Sequence, residues 1–445
     1  MRESRQLAEF VADTTFEDLP AGLADRMKLF ILDSLAGGFV GSGLPWSQIV
    51  YDYQHAQSGA GPCSVFGSSA TMSAPAAAFV NGSMVGAFET ENSAHIAHAG
   101  GTVIPAALTA AQHAGRPGRD LILACILGYE VVCRVGDAQT RLTEDERGFH
   151  NPAANGPFSS AAAVGKVLGL DAATQLNAFG IAGSYCGGLT EFAWKGEMTK
   201  RLHIGLANRG GLEAAYLAQR GFTGPGTVLE GQFGYLNAFS PRPKVERLTA
   251  GLGSTWLTRD IKIKPFAAHG RVQGILSALQ AFKAQGLVDG AEVTSVHITA
   301  NAERLLEDRF LSTEPNTLLQ AQLSVPYVIA VALRRDLSDP LQFDESTLSD
   351  PDIQRLAAAI TWSGADLPGE HAELEITTPT GTHRVFAGDF RGSATQPADR
   401  ADIVDKFRRF SRHLLDTDRQ DRIIAAVDEL DALDDVSELV SQIAV

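Results

Sequence analysis

"PAAAFVNGSMVGAFETENSAHIAHAGGTVIPAALTAAQHAGRPGRDLILACILGYEVVCRVGDA", residues 75–138, is the stretch on which the fold turns. Residues 75–89, 103–115 and 119–138 are Ala-rich, apolar and long enough for helices, the last opening after Pro117-Gly118. Its longest apolar run, "LILACILGYEVVC", falls short of a membrane span. So many small residues on successive helices predict a tightly packed helical domain. The pattern continues outward. "LADRMKLFILDSLAGGFVG" (23–41) has helical spacing and ends near a Gly pair, and "SSAAAVGKVLGL" (159–170), "DAATQLNAFGIAGSYCGGL" (171–189) and "LANRGGLEAAYLAQRGF" (206–222) repeat it. Asp171 reads as an N-cap.

The character changes near Trp256. "DIKIKPF" (260–266) reads as a strand, "GRVQGILSALQAFKAQG" as a helix ending at Gly286, and "EVTSVHITA" (292–300) as an alternating strand. "PNTLLQAQLSVPYVIAVALRR" (315–335) reads as helix with a break at Pro326, and "AELEITTPTGTHRVFAG" (372–388) as a hairpin turning at "PTGT". Charged helices return with "DIVDKFRRFSRHLL" and "RQDRIIAAVDELDAL". The expectation is a mainly α fold with an α+β second domain: residues 1–265 and 393–445 helical, residues 266–392 α+β.

A length of 445 residues suffices for two or three domains. The net charge of −15 and the absence of a Lys/Arg-rich run argue against nucleic acid as a partner. They leave room for an anionic substrate, because a few cations in a cleft outweigh a distant acidic surface. The N-terminal "MRESRQLAEFVADTTFEDLP" lacks the apolar core of a signal peptide. Cys63, Cys125, Cys133 and Cys186 form no CxxC pair and read as small core residues. A cytoplasmic protein without a membrane association is expected.

"FETENSAHIAHAGG" places Glu89, Glu91, His95 and His98 within ten positions. Such a group suits a divalent metal, an acid–base site or a polar loop; without HExxH or a nearby cysteine, metal is the weaker reading. The dinucleotide, phosphate-loop and serine-hydrolase motifs are absent. Three further stretches add basic groups beside turns in apolar sequence: His150 in "GFHNPAANGPF", Lys195, Lys200, Arg201, His203 and Arg209 in "KGEMTKRLHIGLANRGG", and Lys264, His269 and Arg271 in "IKIKPFAAHGRVQG". A lone Lys is usually a solvated group and a lone His a structural one. Together, at element ends, they describe a cationic pocket for a substrate with two or more carboxylates.

These same stretches resemble the MmgE/PrpD family, which includes 2-methylcitrate dehydratase, cis-aconitate decarboxylase and iminodisuccinate epimerase. The likeness runs nearly end to end, through "LDSLAGGFVGS", "NGSMVGAFE", "HAGGTVIPAAL", "LGYEVVCRVG", "TKRLHIGLANRGG", "GFTGPGTVLEGQFGYLNAF", "IKIKPFAAHG", "LSVPYVIAVAL" and "KFRRF" in family order. The resemblance implies a homodimer that needs neither metal nor organic cofactor. It implies His98, His150, Lys200, Lys264 and His269 as catalytic positions, with Tyr327 a looser match taken as a substrate-binding residue. Glu91, His95, Arg201, His203 and Arg271 are the accompanying candidates for substrate binding, and a junction between the two domains is the expected place.

One departure stands out. Where dehydratase- and decarboxylase-like members carry an Asp-Asp pair, this chain has "ETENSAH", a residue or so shorter, and the family's His-Pro is His98-Ala99. The shared chemistry is proton transfer at a carbon beside a carboxylate, which needs a base near neutrality and fixed cations around the developing charge. The leading expectation is a hydro-lyase of the 2-methylcitrate dehydratase type. Epimerisation, which needs no acid for a leaving hydroxyl, and cis-aconitate-type decarboxylation are the alternatives.

Overall fold

A computed structural model describes residues 2–286 and 292–444. The protein is mainly α with a smaller α+β part, in two compact units. One comprises Met1–Thr190, Lys200–Ile263 and Asp399–Val445, the other Glu191–Thr199 and Lys264–Ala398.

In the first unit the helix Lys200–Gln219 is central. It packs on Asn151–Val167, Ala74–Val85, Ala99–His113 and Ala172–Ala182, while Gly118–Gln139 lies against Asn151–Val167 and Ala99–His113. Small residues permit the close approach: a Cβ at Gly211 would sit 2.6 Å from the Pro157 carbonyl oxygen. The side chain of Asp171 caps its helix by accepting from the Thr174 amide at 2.8 Å, as the sequence predicts.

Proline interrupts one of these central helices, and a side chain repairs it. Pro105, inside Ala99–His113, has no N–H to offer the Gly101 carbonyl. The fully buried Asn208 donates to that carbonyl at 2.8 Å and accepts from the Ala106 amide at 2.8 Å. Thr102, whose carbonyl loses its usual partner Ala106, instead accepts from the Ser160 hydroxyl at 2.6 Å. Each buried backbone group is thereby satisfied, as burial requires.

In the second unit a four-stranded sheet runs in the order Ile360–Gly364, Ser295–Ala300, Ala372–Thr378, Gly381–Ala387. The first pair is parallel and the other two antiparallel. Val296, Ile298 and Ala300 alternate inward beside Ala372, Leu374 and Ile376. The helices Gln273–Ala284 and Val325–Arg334 pack on the inward side.

Two expectations are corrected. "DIKIKPF" forms no strand: Lys262 and Ser93 exchange backbone hydrogen bonds at 3.0 Å as an isolated bridge, and Pro265 cannot continue a ladder. The break in 315–335 falls at Ser324, not Pro326. Ser324 caps the second helix by accepting from the Tyr327 amide, and Pro326 sits at its second position, where a missing N–H is harmless. The hairpin Cys63–Val65/Ser68–Met72 and the strand Ile360–Gly364 lie outside the sequence reading. Cys63, Cys125 and Cys133 are buried core thiols, and Cys186 is half-buried. Among the described residues no single helix is long and apolar enough to cross a membrane.

Candidate active site

The segment Phe88–His98 joins the helices Ala74–Val85 and Ala99–His113. Glu89, Thr90, Glu91 and Asn92 are each at most 1% exposed. Among the described residues, the non-glycine positions with left-handed φ are Glu89, His95, Ile96 and Thr140; three of the four lie here. Such backbone costs about 1–3 kcal/mol per residue and persists only where surroundings impose it. A buried, polar, strained loop must have its groups matched one by one.

The matching brings acids and bases together. Glu91 Oε1 lies 2.6 Å from His98 Nδ1, and Glu89 forms an ion pair with Lys200. With Glu91 as acceptor, the neutral form of His98 carries its proton on Nδ1 and has Nε2 as its acceptor, an arrangement that a general base can use. His98 stands at the N-cap of Ala99–His113, and its ring centroid is 6.1 Å from that of His150. His150 in turn occupies the N-cap of Asn151–Val167, and its Nδ1 is 2.8 Å from His203 Nδ1. Two neutral imidazoles can share only one proton across that contact, so their tautomers are opposite.

Burial, then the Lys200 charge, push His150 well below the usual histidine range, and the same causes bring His203 down to about 4. Both are neutral at pH 7. Arg201 is buried over the Trp46 ring at 4.8 Å; burial lowers its pKa to about 10 against the opposing pull of Glu89 and Glu91, and it stays charged. Glu89, Glu91, His98, His150, Lys200, Arg201 and His203 thus form one cluster of the first unit.

Asn92, within the "ETENSAH" run, has its partners in the helical core. It faces inward, donating to Asp33 Oδ2 at 2.9 Å and accepting from the Tyr129 hydroxyl at 2.9 Å. A carboxylate there would meet the fully buried Asp33 head-on, so the position calls for an amide.

His95 has a carboxylate partner on each ring nitrogen. Its Nδ1 is 3.0 Å from Asp137 and its Nε2 2.9 Å from Asp260, so both ring nitrogens clasp the loop to neighbouring segments. Burial opposes the charged ring, but hydrogen bonds and charge from the two carboxylates outweigh it and raise the pKa above 6.5. A raised folded-state pKa contributes stability that is full below the unfolded value and fades as pH rises through the folded one. Replacing His95 by Gln is therefore expected to cost most stability below about pH 6.5, with the gap to the native protein narrowing at higher pH. Urea denaturation of both proteins from acid to mildly alkaline buffer checks this, and a gap independent of pH would refute it.

In the second unit Lys264 is buried, and His269 Nδ1 accepts from the Arg271 amide at 3.4 Å. That contact leaves the proton of a neutral His269 on Nε2, making it a donor. The His269 ring stacks on Phe310 at 5.1 Å, and the Arg271 guanidinium lies over the same ring at 4.6 Å while pairing with Glu307 at 2.5 Å. Burial works against the Glu307 carboxylate, yet Arg271 and Arg309 hold it below the usual range. Tyr327 is a core residue: its hydroxyl donates to the Thr347 carbonyl at 2.7 Å, and burial pushes its pKa up to about 12.

The sequence reading passed over Asp33, Tyr129, Asp137 and Lys406, and met Asn92 only as part of the altered "ETENSAH" run. A signal existed for two of them. Asp33 is a lone acid inside the apolar "LFILDSLAGG", and Lys406 falls on the stripe of Ile403, Phe407 and Phe410 that its helix buries.

The MmgE/PrpD N-terminal domain is matched over residues 5–248 and the MmgE/PrpD C-terminal domain over residues 266–432. The chain is 29% identical to a cis-aconitate decarboxylase of Aspergillus terreus over 98% of its own length and 94% of the relative's. It is 30% identical to a cis-aconitate decarboxylase of Mus musculus over 95% and 89% of the two chains. A cis-aconitate decarboxylase-like protein of Aspergillus oryzae is 29% identical over 99% and 96%. With both domains present in order and the basic cluster carried on them, the chain belongs to the MmgE/PrpD family.

Proposed function

We propose that this protein is a lyase that removes one carboxyl group from a cis-aconitate-like tricarboxylate. The observation that carries the reading is the Glu91–His98 dyad set beside Lys200, Arg201 and two neutral imidazoles. The likeness to cis-aconitate decarboxylases over nearly the whole chain moves the first choice from dehydration to decarboxylation.

In the reaction the bond from carbon to one carboxylate breaks and carbon dioxide leaves. Its electron pair moves through the double bond, and a proton is delivered to the far carbon. Lys200 and Arg201 are the fixed cations for the remaining carboxylates and for the charge that develops on them. His98 and His150, which straddle the same space, are the groups that hold and deliver the proton. Lys264 and His269 are proposed as further catalytic groups, and Arg271 as a further cation.

Epimerisation keeps one argument of its own. The run "ETENSAH" stands in place of the Asp-Asp pair, and two imidazoles with ring centroids 6.1 Å apart suit two faces of a single carbon.

The deciding experiment incubates the protein with cis-aconitate, 2-methylcitrate and the stereoisomeric iminodisuccinates in deuterated water. The expected result is release of carbon dioxide from cis-aconitate with deuterium incorporated into the product. Water loss from 2-methylcitrate, or inversion of an iminodisuccinate, with cis-aconitate untouched, would overturn the reading.

A further inference from the structure

Around residues 90 and 92 lies a polar network assembled from distant parts of the first unit. Lys406, on the helix Arg400–Ser411, is 2% exposed and donates to Asp33 Oδ1 at 2.5 Å and to the Thr90 carbonyl at 3.1 Å. Asp33, on Leu23–Ser42, is fully buried and accepts through its other oxygen from Asn92. Asn92 accepts from Tyr129, which is fully buried on Gly118–Gln139 and stacks on Phe30 at 5.6 Å.

The network grips the two residues that alternate with the acids: Thr90 by its carbonyl and Asn92 by its side chain, between and beside Glu89 and Glu91. The walls there are cut to fit. A Cβ on Gly37 would stand 2.7 Å from the Thr90 hydroxyl, and one on Gly100 2.7 Å from the Asn92 side chain. A buried ion pair is a poor source of stability, since apolar groups of the same shape often serve as well. Here the pair ends on the backbone of a loop whose left-handed residues need an outside constraint.

We infer that Lys406, Asp33, Asn92 and Tyr129 are positioning residues, which hold the 89–92 backbone so that Glu91 meets His98 and Glu89 meets Lys200. The inference rests on reading that cluster as the acid–base site. The C-terminal segment thereby acts on the reaction without touching substrate. Freed of the network, the loop relaxes towards ordinary backbone angles, and the carboxylates move off their partners.

Two variants test this. Tyr129→Phe deletes one hydroxyl from a packed ring, and Lys406→Met replaces the ammonium with an apolar chain of similar length. The first measurement needs no substrate: backbone hydrogen exchange by mass spectrometry. Faster exchange confined to the peptide covering residues 88–98 is expected in both variants. In the second, kcat on the accepted acid falls on the order of tenfold to a hundredfold while KM changes little, as displacement of a positioned group predicts. Unchanged exchange in 88–98, exchange raised evenly across the helical unit, or a full kcat in folded protein would overturn the inference. If Lys406→Met does not fold, Tyr129→Phe decides. If none of the three acids reacts with the native protein, the proposed function fails, and the exchange measurement still decides this inference.

Discussion

Replacing Glu91 by Gln is expected to lower kcat by on the order of a hundredfold to ten thousandfold, the range for a lost acid–base function. Glu91 Oε1 can only accept, so it holds the proton of neutral His98 on Nδ1 and leaves Nε2 bare. A glutamine amide can donate instead, which turns the ring to the other tautomer and puts a proton where the base should be. His98→Asn removes the imidazole outright and should fall in the same range. Because the two residues act as one unit, the double variant should be little worse than the poorer single one. Steady-state kinetics on all three proteins, with thermal unfolding as the check on fold, tests the claim. Losses that multiply would show separate roles, and near-normal turnover in Glu91→Gln would remove the dyad from the mechanism.

Lys264→Ala and His269→Ala should each reduce turnover by on the order of a hundredfold or more. Lys264 is only 3% exposed, and a buried ammonium is a strong electrostatic partner for a carboxylate. The His269 imidazole accepts from the Arg271 amide and stacks on Phe310, contacts that orient the ring. The competing reading makes both residues structural, with Lys264 ending a backbone segment and His269 serving as the cap that the geometry shows. Kinetics separate the two: normal turnover in a folded variant would confine the chemistry to the groups of the first unit. His269→Gln, which still offers both a donor and an acceptor, should retain more activity than His269→Ala.

The helical class and the sheet-bearing second part were legible because they depend on periodic burial. Ala-rich stretches such as 103–115 and the alternation of 292–300 state which faces turn inward. Asp171 was legible because a cap needs only the next three residues. The strand expected at 260–266 failed because a strand needs a neighbour along its whole length, and among the described residues this segment pairs as a strand through the single Lys262–Ser93 bridge. The break at 315–335 was misplaced by two residues because proline signals the absence of a donor, whereas Ser324 supplies the bond that starts the next helix.

The sequence by itself determined the family, the helical class and the kinds of group available: imidazoles, lysines and carboxylates at element ends. Only the tertiary structure decided what each of them does. Glu91 and Asn92 are adjacent in the chain, yet one faces His98 and the other Asp33. His95 and His98 are three residues apart, yet one clasps two carboxylates through both ring nitrogens while the other meets a single carboxylate, Glu91, through Nδ1. The physical reason is that a buried polar group takes its role from whatever partner lies within about 3 Å. For this loop those partners come from Asp33, Tyr129, Asp137, Lys200, Asp260 and Lys406, positions whose nearness no local spacing encodes.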